Sequence, residues 1–100
     1  MADYIWINYS RPRPHWYEES QESRDALEAK WSEIAAASRE KGGEPLGRYH
    51  IRGQSDFKSV EIWRFGSAEE AFDHWTRLTG AAFGQWFAFS NNIGLRENAG

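Results

Sequence analysis

The run from Asp3 to Ser10 constrains this chain more than any other stretch. It alternates with a period of two, placing Tyr4, Trp6, Asn8 and Ser10 on one face and Ile5, Ile7 and Tyr9 on the other. Both faces are largely apolar, which is the pattern of a central strand covered on both sides. Helices on one side of a sheet cannot by themselves account for it. Asn8 is the polar exception within the covered strand. A buried amide must find hydrogen-bond partners, so Asn8 is either a satisfied core amide or a group aimed into a pocket.

The rest of the chain supplies the other elements. Pro12 and Pro14 remove backbone donors and favour extended neighbours, so residues 11–17 read as a stiff, extended connection rather than a helix. Residues 18–41 read as a helix. Leu27, Trp31, Ile34 and Ser38 form its stripe, Glu18, Glu19 and Glu22 favour its start, and Gly42-Gly43 stops it. Residues 46–53 and 57–65 read as two strands of a hairpin across a turn at Gln54–Asp56. In the second of these, Phe57, Ser59, Glu61, Trp63 and Phe65 share a face, and Lys58, Val60, Ile62 and Arg64 share the other.

Ser67 and Glu70 make a capping box for a second helix, whose buried stripe is expected to be Phe72, Trp75, Leu78 and Thr79. Gly80 and Gly84 interrupt it, leaving a short turn through Trp86. Phe87, Phe89, Asn91 and Ile93 alternate as a final strand, and Glu97–Gly100 should fray. The order β-α-β-β-α-β predicts an α+β fold of the ferredoxin-like kind, with four antiparallel strands and two helices on one face. The whole chain, 1–100, is expected to be a single domain. The helix-free face then needs a cover, and the simplest is the same face of a second subunit, making a homodimer.

Composition narrows the function classes. The net charge of −3 argues against nucleic acid and anionic membrane as partners. The absence of cysteine removes disulfides, thiolate metal sites and thiol nucleophiles. No apolar run approaches a membrane span and no signal peptide is evident, which leads to the expectation of a cytoplasmic protein. Leu, Ile and Val total only eleven residues against sixteen aromatics. The core must therefore be built from rings, each hiding on the order of 150–250 Å², and rings also line pockets.

Three stretches carry a resemblance. They are Tyr4–Tyr9, the strand end Trp63–Phe65 followed by Ser67–Phe72, and Gly84–Phe87 leading to Asn91-Asn92. Over roughly residues 3–95 the chain resembles the dimeric α+β barrel superfamily, ferredoxin-like units that pair sheet to sheet. The run from Tyr9 to Trp16 resembles an uncharacterised single-domain branch of it. Related branches are antibiotic-biosynthesis and haem-degrading monooxygenases. Asn8 and Trp75, the latter within Ala71-Phe72-Asp73-His74-Trp75, match two functional positions of the haem-degrading branch. Where that branch has its iron-ligating histidine, this chain has Gln85, and an amide is a poor iron ligand.

Individual residues then become candidates. His15, His50 and His74 have no metal-site spacing, so no metal is expected. His15 lies on the Pro-rich connection beside Trp16 and Tyr17, where loops at sheet ends carry function. His50 alternates with Arg48 and Arg52 on a face that either binds an anion or is a solvated edge. His74 is expected to be exposed beside the buried Phe72 and Trp75. Glu61, among rings, either is paired or has a raised pKa and acts as a base. The expected catalytic set is Asn8, His15, Glu61 and Trp75, and the substrate-binding set is Tyr4, Trp6, Trp63, Phe72, His74 and Trp86. Together with the resemblance this implies a small-molecule pocket protein, leaning to a cofactor-free monooxygenase, isomerase or cyclase acting on an aromatic or polyketide-like substrate. The alternative is a non-catalytic dimer that binds a ligand or haem; no other cofactor is expected.

Overall fold

The computed structural model describes residues 3–53 and 56–97. The elements run β1 (Tyr4–Pro12), α1 (Gln21–Glu40), β2 (Glu44–His50), β3 (Ser59–Phe65), α2 (Ala68–Gly80), α3 (Phe83–Trp86) and β4 (Phe87–Leu95). All strand pairs are antiparallel, in the order β2-β3-β1-β4. This is the ferredoxin-like α+β arrangement, with β1 central as its two-sided apolar pattern requires. Among the described residues no helix is long and apolar enough to cross a membrane.

Helices cover one face only. Trp6, Trp63 and Phe65 from the sheet form the core with Ala71 and Leu78 of α2 and Phe83 of α3, and Trp31 and Ile34 of α1 pack onto it. Trp6 and Trp63 are paired across β1 and β3 and are the largest fully buried side chains. The opposite face carries Ile5, Ile7, Tyr9, Val60 and Ile62, and of these only Val60 is buried.

Local differences from the sequence expectation have physical causes. The connection 11–17 is not wholly extended. β1 continues to Pro12 opposite Phe87, and Pro14–Trp16 form one 3-10 turn, with Pro at a position where its missing N–H has no partner to lose. The turn is pinned by Arg13 N donating to Trp86 O (2.8 Å) and by Trp16 stacked on Trp31 (5.7 Å). α1 starts at Gln21, three residues late, because Ser20 Oγ accepts from Ser23 N (3.1 Å) and caps it there.

α1 stops as expected. Gly42 takes φ +100° and Gly43 N donates to Ser38 O (2.8 Å), and a side chain at Gly43 would collide with Phe65. β2 runs 44–50 rather than 46–53, with a bulge between Pro45 and Gly47. β3 begins at Ser59, not 57. The irregular backbone before it turns Phe57 onto Tyr9 (6.1 Å), so Phe57 lies against the open face instead of the covered one. Of the expected turn at 54–56, Gln54 and Ser55 lie outside the described residues, as do residues 98–100 of the expected frayed end.

The second helix is capped as its sequence implies, Ser67 Oγ accepting from Glu70 N (3.1 Å). Its buried stripe is one residue away from the expected one. Ala71, His74 and Leu78 are buried with Trp75 half-buried, while Phe72 is 59% exposed. Positions 71, 74, 75 and 78 follow i, i+3, i+4, i+7, and the small Ala71 lets the helix settle close against the paired tryptophans. His74 is therefore interior, contrary to the expected exposure. α2 ends at Gly80 as expected and a short helix resumes through Trp86; the break itself spans Ala81 and Ala82, the latter left-handed (φ 67°), while Gly84 lies inside α3.

Candidate functional site

Register builds the site. On the covered face, Arg48 of β2 lies opposite Glu61 of β3, Glu61 opposite Asn8 of β1, and Asn8 opposite Asn91 of β4. These four make one polar row across the entire sheet. The adjoining row contains the Trp63–Trp6 pair and Ile93. Polar groups are thus set beside a wall of rings, under the helices.

A cleft of about 240 Å³ opens over this row. Its floor is Asn8 and Glu61, with Arg48 at the β2 side. Trp31 and Ala35 of α1 form one wall, His74 and Leu78 of α2 another, and Phe83 and Phe87 close the end. Glu28, Ser32 and Arg48 are exposed, so the cleft opens between α1 and β2.

Three polar groups converge there in different states. His74 is 2% exposed, with Nδ1 2.6 Å from Ser38 Oγ. Its ring lies 4.6 Å from Trp63 and stands edge-on to Trp6 at 4.9 Å. Burial pushes its pKa down to about 4; Asp73 opposes the shift and Arg77 adds to it. The imidazole is consequently neutral at pH 7. Glu61 is half-buried and accepts from Trp63 Nε1 (2.9 Å), which fixes both side chains. Among the described residues no cation lies within ion-pair distance of its carboxylate. Asn8 is 2% exposed, and its Oδ1 is buried without a hydrogen-bond partner. An orphaned buried acceptor costs about 1–3 kcal/mol, and the fold leaves the Oδ1 side of the Asn8 amide unsatisfied.

The structure brings together only part of the expected set. Asn8, Glu61 and His74 line the cleft, and Trp6 and Trp63 support His74 from behind. His15 and Trp75 do not join Asn8 and Glu61. His15 is exposed on the 3-10 turn, with Nε2 2.7 Å from Gln85 O. Trp75 packs edge-on to Phe89 (4.5 Å) and, with Phe72 and Asn91, borders a separate depression. Trp86, the last residue of α3, contacts His15 and Trp16 and is not part of the cleft lining. Tyr4 lies at the far end of the sheet, opposite Phe65 and Leu95. Gln85 is exposed and is not part of the cleft lining.

Sequence reasoning missed Trp31, Ser38, Phe83 and Phe87 as site residues. Trp31 and Ser38 were legible as members of the α1 stripe facing the sheet. Arg48 was legible as an opposing position once β2 and β3 were paired. Phe83 and Phe87 stack at 5.1 Å across the helix-to-strand junction, which no periodicity reveals.

Neither a protein-family model nor a curated protein sequence matches the chain. Solved structures do. A mutant chlorite dismutase from Candidatus Nitrospira defluvii in complex with cyanide superposes with a TM-score of 0.79 at 14% identity, covering 98% of this chain and 41% of that one. Another mutant of that enzyme gives 0.76 at 17% identity, with 97% and 41% covered. A haem-binding protein from Thermus thermophilus gives 0.77 at 13% identity, with 94% and 40% covered. The chain thus spans about two fifths of these proteins' length, and the likeness establishes the shared fold.

Proposed function

We propose that this chain is a small-molecule-binding domain whose ligand enters the cleft over Asn8, Glu61 and His74. The observation that carries this reading is Asn8, a residue of the cleft lining whose buried Oδ1 has no hydrogen-bond partner. The fold tolerates the energetic cost of that acceptor, and a ligand donor would offset it. Separation of His15 and Trp75 from Asn8 and Glu61 favours binding over the cofactor-free oxygenation suggested by the family resemblance.

Fragment screening by NMR tests the reading through the indole N–H signals. Aromatic fragments should shift Trp63, whose N–H bonds Glu61, and Trp31, whose N–H donates to Ala81 O (3.0 Å), while leaving Trp86 in place. Ala35→Trp, which fills the α1 wall, should abolish those shifts. A panel that leaves Trp31 and Trp63 unmoved would refute the proposal.

Haem in the same cleft is the second reading, and one feature of the donor set favours it. A neutral imidazole whose Nδ1 is held by a hydroxyl would leave its other ring nitrogen to hold iron. His74 would hold the iron, and Arg48 at the open side would meet a propionate. Haem would supply redox chemistry there. The volume favours a smaller guest, since drug-sized ligands occupy roughly 300–1,000 Å³ and the cleft is about 240 Å³. Titration with haemin decides between the two: a Soret band shifted and sharpened relative to free haemin, and lost in His74→Gln, assigns haem, and a spectrum that stays that of free haemin leaves the smaller ligand.

We also propose that a second copy of the chain covers the open sheet face through Ile5, Ile7, Tyr9 and Ile62. Half-buried apolar side chains on a helix-free face support this. Sedimentation at micromolar concentration should report twice the 11.6 kDa chain mass. A well-folded 11.6 kDa particle would contradict it.

A further inference from the structure

The floor of the cleft sets two acceptor groups side by side, with the Asn8 amide nitrogen as a donor beside them, and this says what kind of molecule it is built to take. Asn8 Oδ1 and the Glu61 carboxylate stand side by side on paired strands. Both are acceptors. Asn8 Oδ1 is buried with nothing donating to it, and Glu61 receives one N–H, from Trp63, with no cation within ion-pair distance among the described residues. A half-buried carboxylate with only one donor keeps lone pairs free to accept from a guest. Glu28 adds a second acidic side chain to the lining, and Arg48, the one basic residue there, is exposed at its edge.

The walls add a second constraint. Trp31, Phe83 and Phe87 present rings to the space between α1 and the strand end, with Trp31 edge-on to both phenylalanines at 5.3 and 5.6 Å. Aromatic faces favour a flat guest and attract positive charge. An anionic guest would meet Glu61 and Glu28 in a half-enclosed space. A purely apolar guest would seal Asn8 Oδ1 away from water without a partner.

We propose, building on the ligand-binding reading above, that the cleft selects a flat aromatic cation carrying adjacent N–H donors, of the amidine or amino-heterocycle class. One N–H is donated to Asn8 Oδ1, another to Glu61, and the ring lies against Trp31 and Phe83.

Benzamidine and benzoate share a ring and a planar two-headed group and differ in charge and in donor against acceptor character. They form the test pair, with neutral benzamide between them. Followed through the Trp63 and Trp31 indole signals of the intact chain, benzamidine should bind at least tenfold more tightly than benzoate. Glu61→Gln keeps an acceptor for Trp63 Nε1 and removes only the charge, and it should weaken benzamidine about tenfold while changing benzamide little. Asn8→Asp, which adds a second charge to the floor, should tighten benzamidine. Benzoate or benzamide binding as well as benzamidine, or a Glu61→Gln variant that binds benzamidine unchanged, would overturn the charge preference and leave the cleft as a binding site. If none of the three moves either indole signal while other fragments do, the ligand class is wrong. If nothing moves them, the binding reading falls too.

Discussion

The two faces of the sheet are made from alternating residues of the same strands, yet they are organised differently. On the covered face, Trp6 and Trp63 are fully buried and hold a neutral histidine between them, and a polar row lies beside them. On the open face, Ile5, Ile7 and Ile62 are aliphatic and half-buried, and the polar side chains of that face, Arg64, Ser90 and Asn92, are exposed opposite Ile5, Tyr9 and Ile7. The contrast separates two jobs. A face that only has to be covered needs an apolar patch and can keep its polar side chains in solvent. A face that hosts a cleft retains groups that are unfavourable without an occupant, and it surrounds them with large, rigid rings.

The strongest way to break this contrast is to remove its largest part. Trp63→Ala should destabilise the fold by about 3–5 kcal/mol, as loss of a buried indole does, and should release Glu61; urea denaturation measures it. Next is pH. His74 is held neutral with a pKa of about 4 against 6.5 in the unfolded chain. The unfolded state therefore takes up a proton that the fold refuses. The associated stability is complete above about pH 6.5 and is lost as pH falls toward 4, a total of about 3 kcal/mol. The difference between wild type and His74→Gln, followed from pH 7 to 4, should show that slope and level off below 4.

Smaller effects sharpen the open side of the comparison. Ile62→Ala should cost about 1–2 kcal/mol, less than a fully buried isoleucine, and the cost should grow with protein concentration if a second copy packs there. Phe72→Ser should change stability by less than about 0.5 kcal/mol, as expected for an exposed position. A large loss at Phe72 would restore the stripe that the helix pattern first suggested.

That stripe shows where the sequence is legible and where it is not. Strand alternation and the Ser67–Glu70 cap identify elements from local chemistry alone, so the order, the sheet and the covered face follow from them. The rotation of α2 is decided by which residue lets it approach Trp6 and Trp63. That is a tertiary contact, and Ala71 makes it in preference to Phe72. The site divides in the same way. Asn8 was visible as an amide in an apolar strand and Glu61 as a carboxylate among rings, but their adjacency depends on β1–β3 register. Ser38 as the partner of His74 depends on how α1 crosses α2. His15 and Trp75 carried the right chemistry and were placed elsewhere by the turn at Pro14 and by the packing of Phe89.

The central claim is that Asn8 is kept for a ligand and not for the fold. Replacing it with leucine, similar in size and without polar atoms, isolates that claim. Asn8→Leu should raise the urea midpoint, by about 1 kcal/mol or more of stability as the orphaned acceptor disappears, and at the same time abolish fragment-induced shifts of the Trp63 indole signal. A variant that is less stable than wild type and still binds would show that the amide serves the core, and would contradict the account.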